Sequence, residues 1–227
     1  EMTGSLDEVL IYTIEQRHQY LINLSTRKEE VTRLIEEQDK LTEELRVAIE
    51  QAQTLQQVED LYRPYKQKRR TKAMVAIEQG LEPLADWILS NKEPINLNDK
   101  ASEFIQDEVK TAEEALAGAH EIIAQKVSDN AEYREFIRKY SRYNAIVKTS
   151  LKNQEKDPQQ VYHMYYDFSE KLDKVKEHNT LAINRAERED VITVKINIDE
   201  EPDYRYIEKR FIVADLPTAQ VAFIQNA

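Results

Sequence analysis

The sequence predicts a mainly α protein: a multi-helix bundle with helix-turn-helix-like junctions and a small β element near the C-terminus. Three observations carry this. Apolar residues recur at helical spacing in segment after segment. Gly numbers only 3 and Pro 6 in 227 residues, so breakers are scarce. One stretch alone alternates with period two. Charged residues at 33% and apolar ones at 41% are the balance of a folded chain, not a disordered one.

Ser5-Leu6-Asp7-Glu8 reads as a capping box, with the hydroxyl and the carboxylate satisfying each other's backbone amides. Leu6, Val9, Leu10, Ile14 and Leu21 follow as a helical stripe. Thr26-Arg27-Lys28-Glu29 is a second box. It opens a helix with Val31, Leu34, Ile35, Gln38, Leu41, Leu45 and Ile49 on one face. The 34, 38, 41, 45 spacing is that of a coiled-coil seam, but it is too short to stand free and suits an intramolecular hairpin or bundle. Thr54-Leu55-Gln56-Gln57 is a third box, followed by Val58, Leu61 and Tyr62. Pro64 ends that helix by disfavouring helical geometry at Arg63. Another starts at Thr71, turns Met74, Val75 and Ile77 inward, and stops at Gly80. Pro83 sits in the first turn of the next, with Leu84, Trp87 and Ile88 apolar.

Asn91 to Asp99 is a turn-rich linker. Helices are predicted over 101–108 and 111–127; the second has a small-residue face of Ala112, Ala115, Leu116, Ala119, Ile122 and Ile123 that permits close packing. Asp129 caps a helix running to about Thr149. Asp157-Pro158 opens a further helix carrying Tyr162, Tyr165, Tyr166 and Phe168, read as packing residues rather than base-stacking ones. Residues 191–198 alternate, with Ile192, Val194, Ile196 and Ile198 on one face, and form a strand. A strand needs a partner for its backbone groups. Either 204–213 supplies it, although Tyr206, Ile207 and Phe211 also fit a short helix, or it lies outside this chain. The organisation is a helical domain over 1–180 and a small mixed β/α extension over 181–227.

Several function classes fall away. The chain has no Cys, hence no disulfide, thiolate metal site or Cys nucleophile, which suits a reducing cytoplasm. No Gly has another within five residues, so no phosphate-cradling glycine loop is present. No run approaches the ~20 apolar residues of a membrane span, and the start has no signal-peptide pattern. The start without Met suggests a fragment. His120-Glu121 lacks the second His that a zinc-protease helix needs, Ala standing at 124. His163 and Asp167 are two ligand types four apart, too few for a metal site. No cofactor, metal or catalytic constellation is expected.

The net charge is −11, yet Arg63, Lys66, Lys68, Arg69, Arg70 and Lys72 crowd one junction without an acid among them. Setting those six aside, the remainder stands at −17, so the whole-protein field does not attract nucleic acid and any contact is local. Two readings of the run are open. It contacts phosphates, with Tyr62 or Tyr65 stacking on a base. Or the tyrosines are packed, Arg63 pairs with Glu59 or Asp60, and the rest is solvated. A second basic region holds Arg134, Arg138, Lys139, Arg142, Lys148, Lys152 and Lys156, with Arg134, Arg138 and Arg142 on one helical face. It is either a phosphate-tracking stripe or the solvent side of an amphipathic helix.

Three stretches, "LYRPYKQKRRTKAMVAIEQGLEPLADWIL" (61–89), "AEEALAGAHEIIAQKVSDNAEYREFIR" (112–138) and "HNTLAINRAERED" (178–190), together resemble the N-terminal helical region of Tex, the bacterial transcription accessory family. The resemblance spans nearly the whole chain. It implies a cytoplasmic, RNA- or DNA-binding factor acting around transcription, similar to the core of a eukaryotic elongation factor. Complete members continue into a YqgF-type ribonuclease-H-like domain, helix-hairpin-helix elements and an S1 domain, so the chain is expected to be an excised N-terminal portion. Where the family often has His-Arg and Asn-Arg-Gly-Glu, this chain has His178-Asn179 and Asn184-Arg185-Ala186-Glu187. Ala at 186 argues against a strict need for positive φ there; the polar cluster of His178, Asn184, Arg185 and Glu187 reads as a junction that orders the chain.

The expected function is a non-enzymatic nucleic-acid-binding and scaffolding region. The contacts fall to Arg63, Lys66, Lys68, Arg69, Arg70, Lys72 and Tyr65, with Arg138 and Arg142. The alternative is a scaffold that docks the YqgF and S1 domains, or RNA polymerase, without touching nucleic acid.

Overall fold

The computed structural model describes residues 7–66, 70–106 and 108–227. Among them are eleven α-helices and one small sheet. The residues up to Ala131, with Asn226 and Ala227, form one compact unit; Glu132–Gln225 form a second. The 180/181 boundary expected from the sequence falls inside the second unit, between strands that hydrogen-bond to one another.

The first unit opens with α1 (Glu8–Glu36), about 43 Å long at 1.5 Å per residue. Its cap is Asp7; Ser5 lies outside the described residues. The helix runs straight through Thr26, where a second start was expected. Neither Gly nor Pro occurs between Ser5 and Glu36, so nothing interrupts the ladder and Thr26 has no terminus to cap. The predicted apolar stripe at its N-terminal end is uncovered: Val9 is 68% exposed, and Leu10, Ile14 and Leu21 are exposed too. Burial begins at Leu24 and continues at Val31 and Ile35.

After α1 the chain turns through Asp39, whose φ is +55°, and Thr42 caps α2 (Glu43–Gln51) with its hydroxyl 3.2 Å from the Leu45 amide. The 34–45 seam is therefore split between two helices. Its members still converge, because Leu34, Leu41 and Leu45 pack on the cluster of Val31, Ile35, Ile49, Val58 and Tyr62. α3 (Leu55–Tyr62) begins with the predicted Thr54–Gln57 capping box, both halves formed. Arg27 of α1 donates to Glu59 of α3 at 2.6 Å, which raises the guanidinium pKa and ties the two helices.

The rest of this unit is built around α7 (Ala112–Ser128). Against it pack α4 (Lys72–Glu78), α5 (Glu82–Ser90) and α6 (Leu97–Ser102). Gly80 ends α4 with φ +74°, as expected of a left-handed helix stop. The helix expected at 101–108 is the earlier α6, because Asn96 caps it by accepting from the Asn98 amide at 2.9 Å. On α7, Ala115, Ala119, Ile122 and Ile123 are buried, as the small-residue face predicted. The closest approach falls at Gly118. A Cβ there would stand 3.2 Å from Ala76 Cβ and collide with Leu81 Cδ1.

The second unit corrects three expectations. α8 (Ala131–Asn144) does not continue to Thr149; Ile146–Leu151 is instead strand β1. Ile146, Val147 and Thr149 are β-branched, and that preference wins once a partner strand is at hand. Asp157-Pro158 opens no helix. The Asp157 carboxylate accepts from the amides of Val161 (2.7 Å) and Tyr162 (2.8 Å) and from the Tyr166 hydroxyl (2.9 Å), closing a set of short turns that lead into β2 (Ser169–Lys171). The carboxylate has a cap's chemistry, but it is spent on a loop. The partner of β3 (Ile192–Asn197) is neither 204–213 nor an outside chain: β1 pairs antiparallel with both β2 and β3, giving the order β2-β1-β3. Residues 201–211 are α10 (Glu201–Phe211), followed by α11 (Thr218–Gln225).

Tyr162, Ile183, Ala186, Val191 and Ile192 make the core between sheet and α9 (Glu177–Arg188), with Tyr165, Tyr166 and Phe168 against it. The aromatics are packing residues, as expected, though not on a helix. Ala186 is fully buried inside α9; positive φ falls at Asp190 instead, at +64°. Asp190 receives Lys152 at 2.5 Å and Lys156 at 2.8 Å, which together hold its pKa down at about 2. Burial pushes the Asp157 carboxyl up, but its three hydrogen bonds outweigh that and the net direction is down.

Both carboxylates therefore bind protons more weakly folded than unfolded. The stability they lend is full above the ordinary Asp value of 3.8 and is lost as the pH falls below it, for Asp190 through about 2. The melting temperature of the second unit should fall between about pH 4 and 2. In Asp190→Asn that fall should be shallower, since Asn tolerates the left-handed backbone but does not titrate. Circular dichroism melts across this range check it; identical slopes for wild type and variant would remove Asp190 from the account.

Candidate nucleic-acid interface

The basic run lies in the first unit, between α3 and α4. α3 stops at Tyr62, close to where Pro64 was expected to end it, but Arg63 keeps helical geometry (φ −51°, ψ −42°), so the stop does not come from the expected effect on that residue. Thr71 caps α4 by accepting from the Met74 amide at 3.1 Å. Lys68 and Arg69 lie outside the described residues. Three of the other cations meet the protein's own acids. Arg63 Nε donates to Asp129 at the end of α7 at 2.9 Å, Arg70 meets Glu78 at 2.5 Å, and Lys72 meets Glu121 at 3.1 Å. Arg63 was expected to find Glu59 or Asp60. Glu59 is already held by Arg27, and the fold brings Asp129 within reach from 66 residues away.

These pairs differ in kind. Asp129 is buried, so the Arg63 pair anchors the junction to α7. The Arg70 and Lys72 side chains are 67% and 82% exposed, and exposed pairs of this sort contribute about 0–1 kcal/mol. They can exchange a carboxylate for a phosphate at little cost.

Tyr62 is buried, so its ring is not open to base stacking, while Tyr65 is half-buried against the α1–α3 core. The Tyr65 carbonyl accepts from Gln38 Nε2 at 3.0 Å, which joins the junction to the α1–α2 turn. Lys66 is exposed. It lines an open groove of about 520 Å³ with Lys40, Gln38, Tyr65, Met74 and Glu78. Nothing in the sequence marks Lys40 as part of this surface: it stands alone among acids and Gln, and only the α1–α2 turn carries it to the basic run.

In the second unit Arg138 is half-buried on α8 and Arg142 is exposed near its end. Lys139 pairs with Glu135 at 2.8 Å, and Lys152 and Lys156 share Asp190. Lys148, expected in the second basic region on a helix running to about Thr149, stands on β1. Arg185 of the 178–187 cluster holds Glu189 at 2.9 Å, and Asn179 accepts from the Tyr165 hydroxyl at 3.3 Å. Among the described residues no group of three or more His, Asp and Glu could hold a metal ion, and no helix is long and apolar enough to cross a membrane.

A helical region with a small antiparallel sheet and surface-displayed cations is the class these observations define. The model of the Tex central region-like family matches residues 93–222, more than half of the chain, and the chain belongs to that family. It is 49% identical to the uncharacterized protein YdcI of Bacillus subtilis (strain 168), over 93% of this chain and 30% of that protein. It is 34% identical to the transcriptional accessory protein Tex of Neisseria gonorrhoeae, over 95% of this chain and 29% of that one. It is also 26% identical to the human S1 RNA-binding domain-containing protein 1, over 88% of this chain and 21% of that one. The chain thus spans under a third of the length of these relatives.

Proposed function

We propose that this chain is a non-enzymatic nucleic-acid-binding and scaffolding region of a Tex-like transcription accessory protein, acting in the cytoplasm beside YqgF and S1 domains elsewhere in the full-length protein. The observation that carries the reading is the division of labour in the basic run. Arg63 ties the junction to a buried carboxylate on α7, while Lys66 stays exposed and faces a groove it shares with Lys40. Lys66, Lys68 and Arg69 make the phosphate contacts. Arg70 and Lys72 join by releasing weakly held surface carboxylates. Contacts of this type displace condensed counterions and add affinity without sequence preference. Arg138 and Arg142 are secondary contacts. The names of the relatives, a transcriptional accessory protein and an RNA-binding one, support the partner class.

The test is duplex DNA and RNA binding followed against salt. Replacing Lys66, Lys68 and Arg69 by Gln should flatten the plot of log affinity against log salt by about 0.9 for each duplex phosphate no longer neutralised. Unchanged affinity and slope would end the assignment for this run. The second reading, a scaffold that docks the other domains or RNA polymerase, draws on the pairing of Arg63, Arg70 and Lys72 and on the uncovered apolar residues of α1. It requires that wild type show no salt-dependent nucleic-acid binding at all.

A further inference from the structure

The sheet β2-β1-β3 has one face packed on α9 and the other open. Register places Lys148 of β1 directly opposite Lys195 of β3, and Lys171 of β2 opposite Ile146, two residues along from Lys148. Residues opposite each other in an antiparallel pair project from the same face, and diagonal neighbours stand about 7–8 Å apart. Lys148, Lys171 and Lys195 therefore share the open face, one from each strand, among Ser150, Ser169 and Asn197. All six are exposed. The three strands hold a single acid, Glu170, and it stands opposite Val147 on the other face. None of the three lysines forms an ion pair among the described residues. This contrasts with Lys152 and Lys156, a few residues on, both of which are held by Asp190.

Stability does not account for this arrangement. Like charges directly opposite on neighbouring strands are destabilising. Lysines on edge strands serve to block edge-to-edge association, which covers Lys171 and Lys195. Lys148 is on the central strand, where there is no edge to protect. A face that gathers three unpaired cations from three strands, with hydroxyl and amide donors between them and no acid, is complementary to a chain of closely spaced anions.

We propose that this open sheet face binds the sugar-phosphate backbone of single-stranded RNA, as a second contact surface distinct from the 63–72 run. It rests on the reading of this chain as a nucleic-acid-binding region. The lysines neutralise successive phosphates, and Ser150, Ser169 and Asn197 offer hydrogen bonds to phosphate or sugar oxygens.

The experiment uses the full 227-residue chain and a fluorescein-labelled oligouridine RNA, titrated between about 50 and 200 mM salt. The triple variant Lys148→Gln, Lys171→Gln, Lys195→Gln should flatten the log–log salt slope by about 2, roughly 0.7 for each phosphate of the single strand left unneutralised, and weaken binding at low salt by about tenfold or more. Its melting temperature should be equal to or above wild type, because the opposed charges are gone. That separates weakened RNA binding from impaired folding. A folded triple variant with wild-type affinity and slope overturns the proposal. If the Lys66, Lys68, Arg69 variant loses binding while the sheet variant does not, this surface fails and the reading of the region stands. If wild type binds no RNA, this surface fails, and if it binds no duplex DNA either, the reading of the region fails with it. If poly-glutamate depends on the three lysines and oligouridine does not, the face serves an acidic protein and the proposal is overturned.

Discussion

Gly118→Leu should cost about 3 kcal/mol or more of stability, enough to unfold the first unit in moderate denaturant. α7 passes so close to the start of α5 that even a methyl at 118 meets Leu81, which is fully buried, and Ala76, which is nearly so. Overpacking a dense core typically costs about 1–3 kcal/mol, and a leucine brings three carbons more than the methyl that already collides. Gly118→Ala is the sharper probe. In an open helix it would stabilise by about 1 kcal/mol. Here the collision opposes that gain, so a net loss is expected. Combining it with Leu81→Val, which withdraws the colliding carbon, should recover part of it, a coupling that a double-mutant cycle reads directly. Urea unfolding followed by circular dichroism measures all three. A Gly118→Ala protein more stable than wild type would show that the two helices do not approach this closely.

Ile192→Ala should cost about 2–5 kcal/mol. Ile192 is 1% exposed and lies between β3 and α9 with Ile183 and Ala186. Truncation removes buried methyls and leaves a cavity that a short sheet cannot easily close. The loss belongs to the second unit, and hydrogen exchange of the β1 and β3 amides is the suitable readout. Those amides should lose protection while the α7 amides keep theirs. Because Ile192 stands opposite Leu151, loosening this end of the ladder also weakens the frame that holds Lys148 opposite Lys195. RNA affinity should drop with it, though every lysine of the face is still in place.

How much of this was legible in the residues depends on how local the deciding interaction is. The Thr54–Gln57 box, Thr71 as a cap and Gly80 as a left-handed stop all rest on atoms a few residues apart, and all are found where the chemistry puts them. The long motifs carried the family for a similar reason, since residue order needs no coordinates. False starts came from the same local signals. Thr26 has a cap's chemistry but lies inside an unbroken helix. Asp157 has a cap's carboxylate and a following Pro, but its oxygens close a turn.

What the chain alone determined is its mainly helical character, the position of most helix ends, the strand at 192–197 and the location of an unpaired-looking basic run. What the tertiary structure decided is which charges remain open and which are answered. Asp129 reaches Arg63 across 66 residues, and Lys40 joins Lys66 only because Asp39 turns the chain. Lys148 moves from the expected helix to the centre of a cationic face, because β3, more than forty residues later, offers a ladder that a helix there could not complete. Charge and β-pairing are satisfied by whatever group comes near in space. Capping and turns are satisfied by near neighbours in sequence, which is why the helices could be read from the residues and the faces could not.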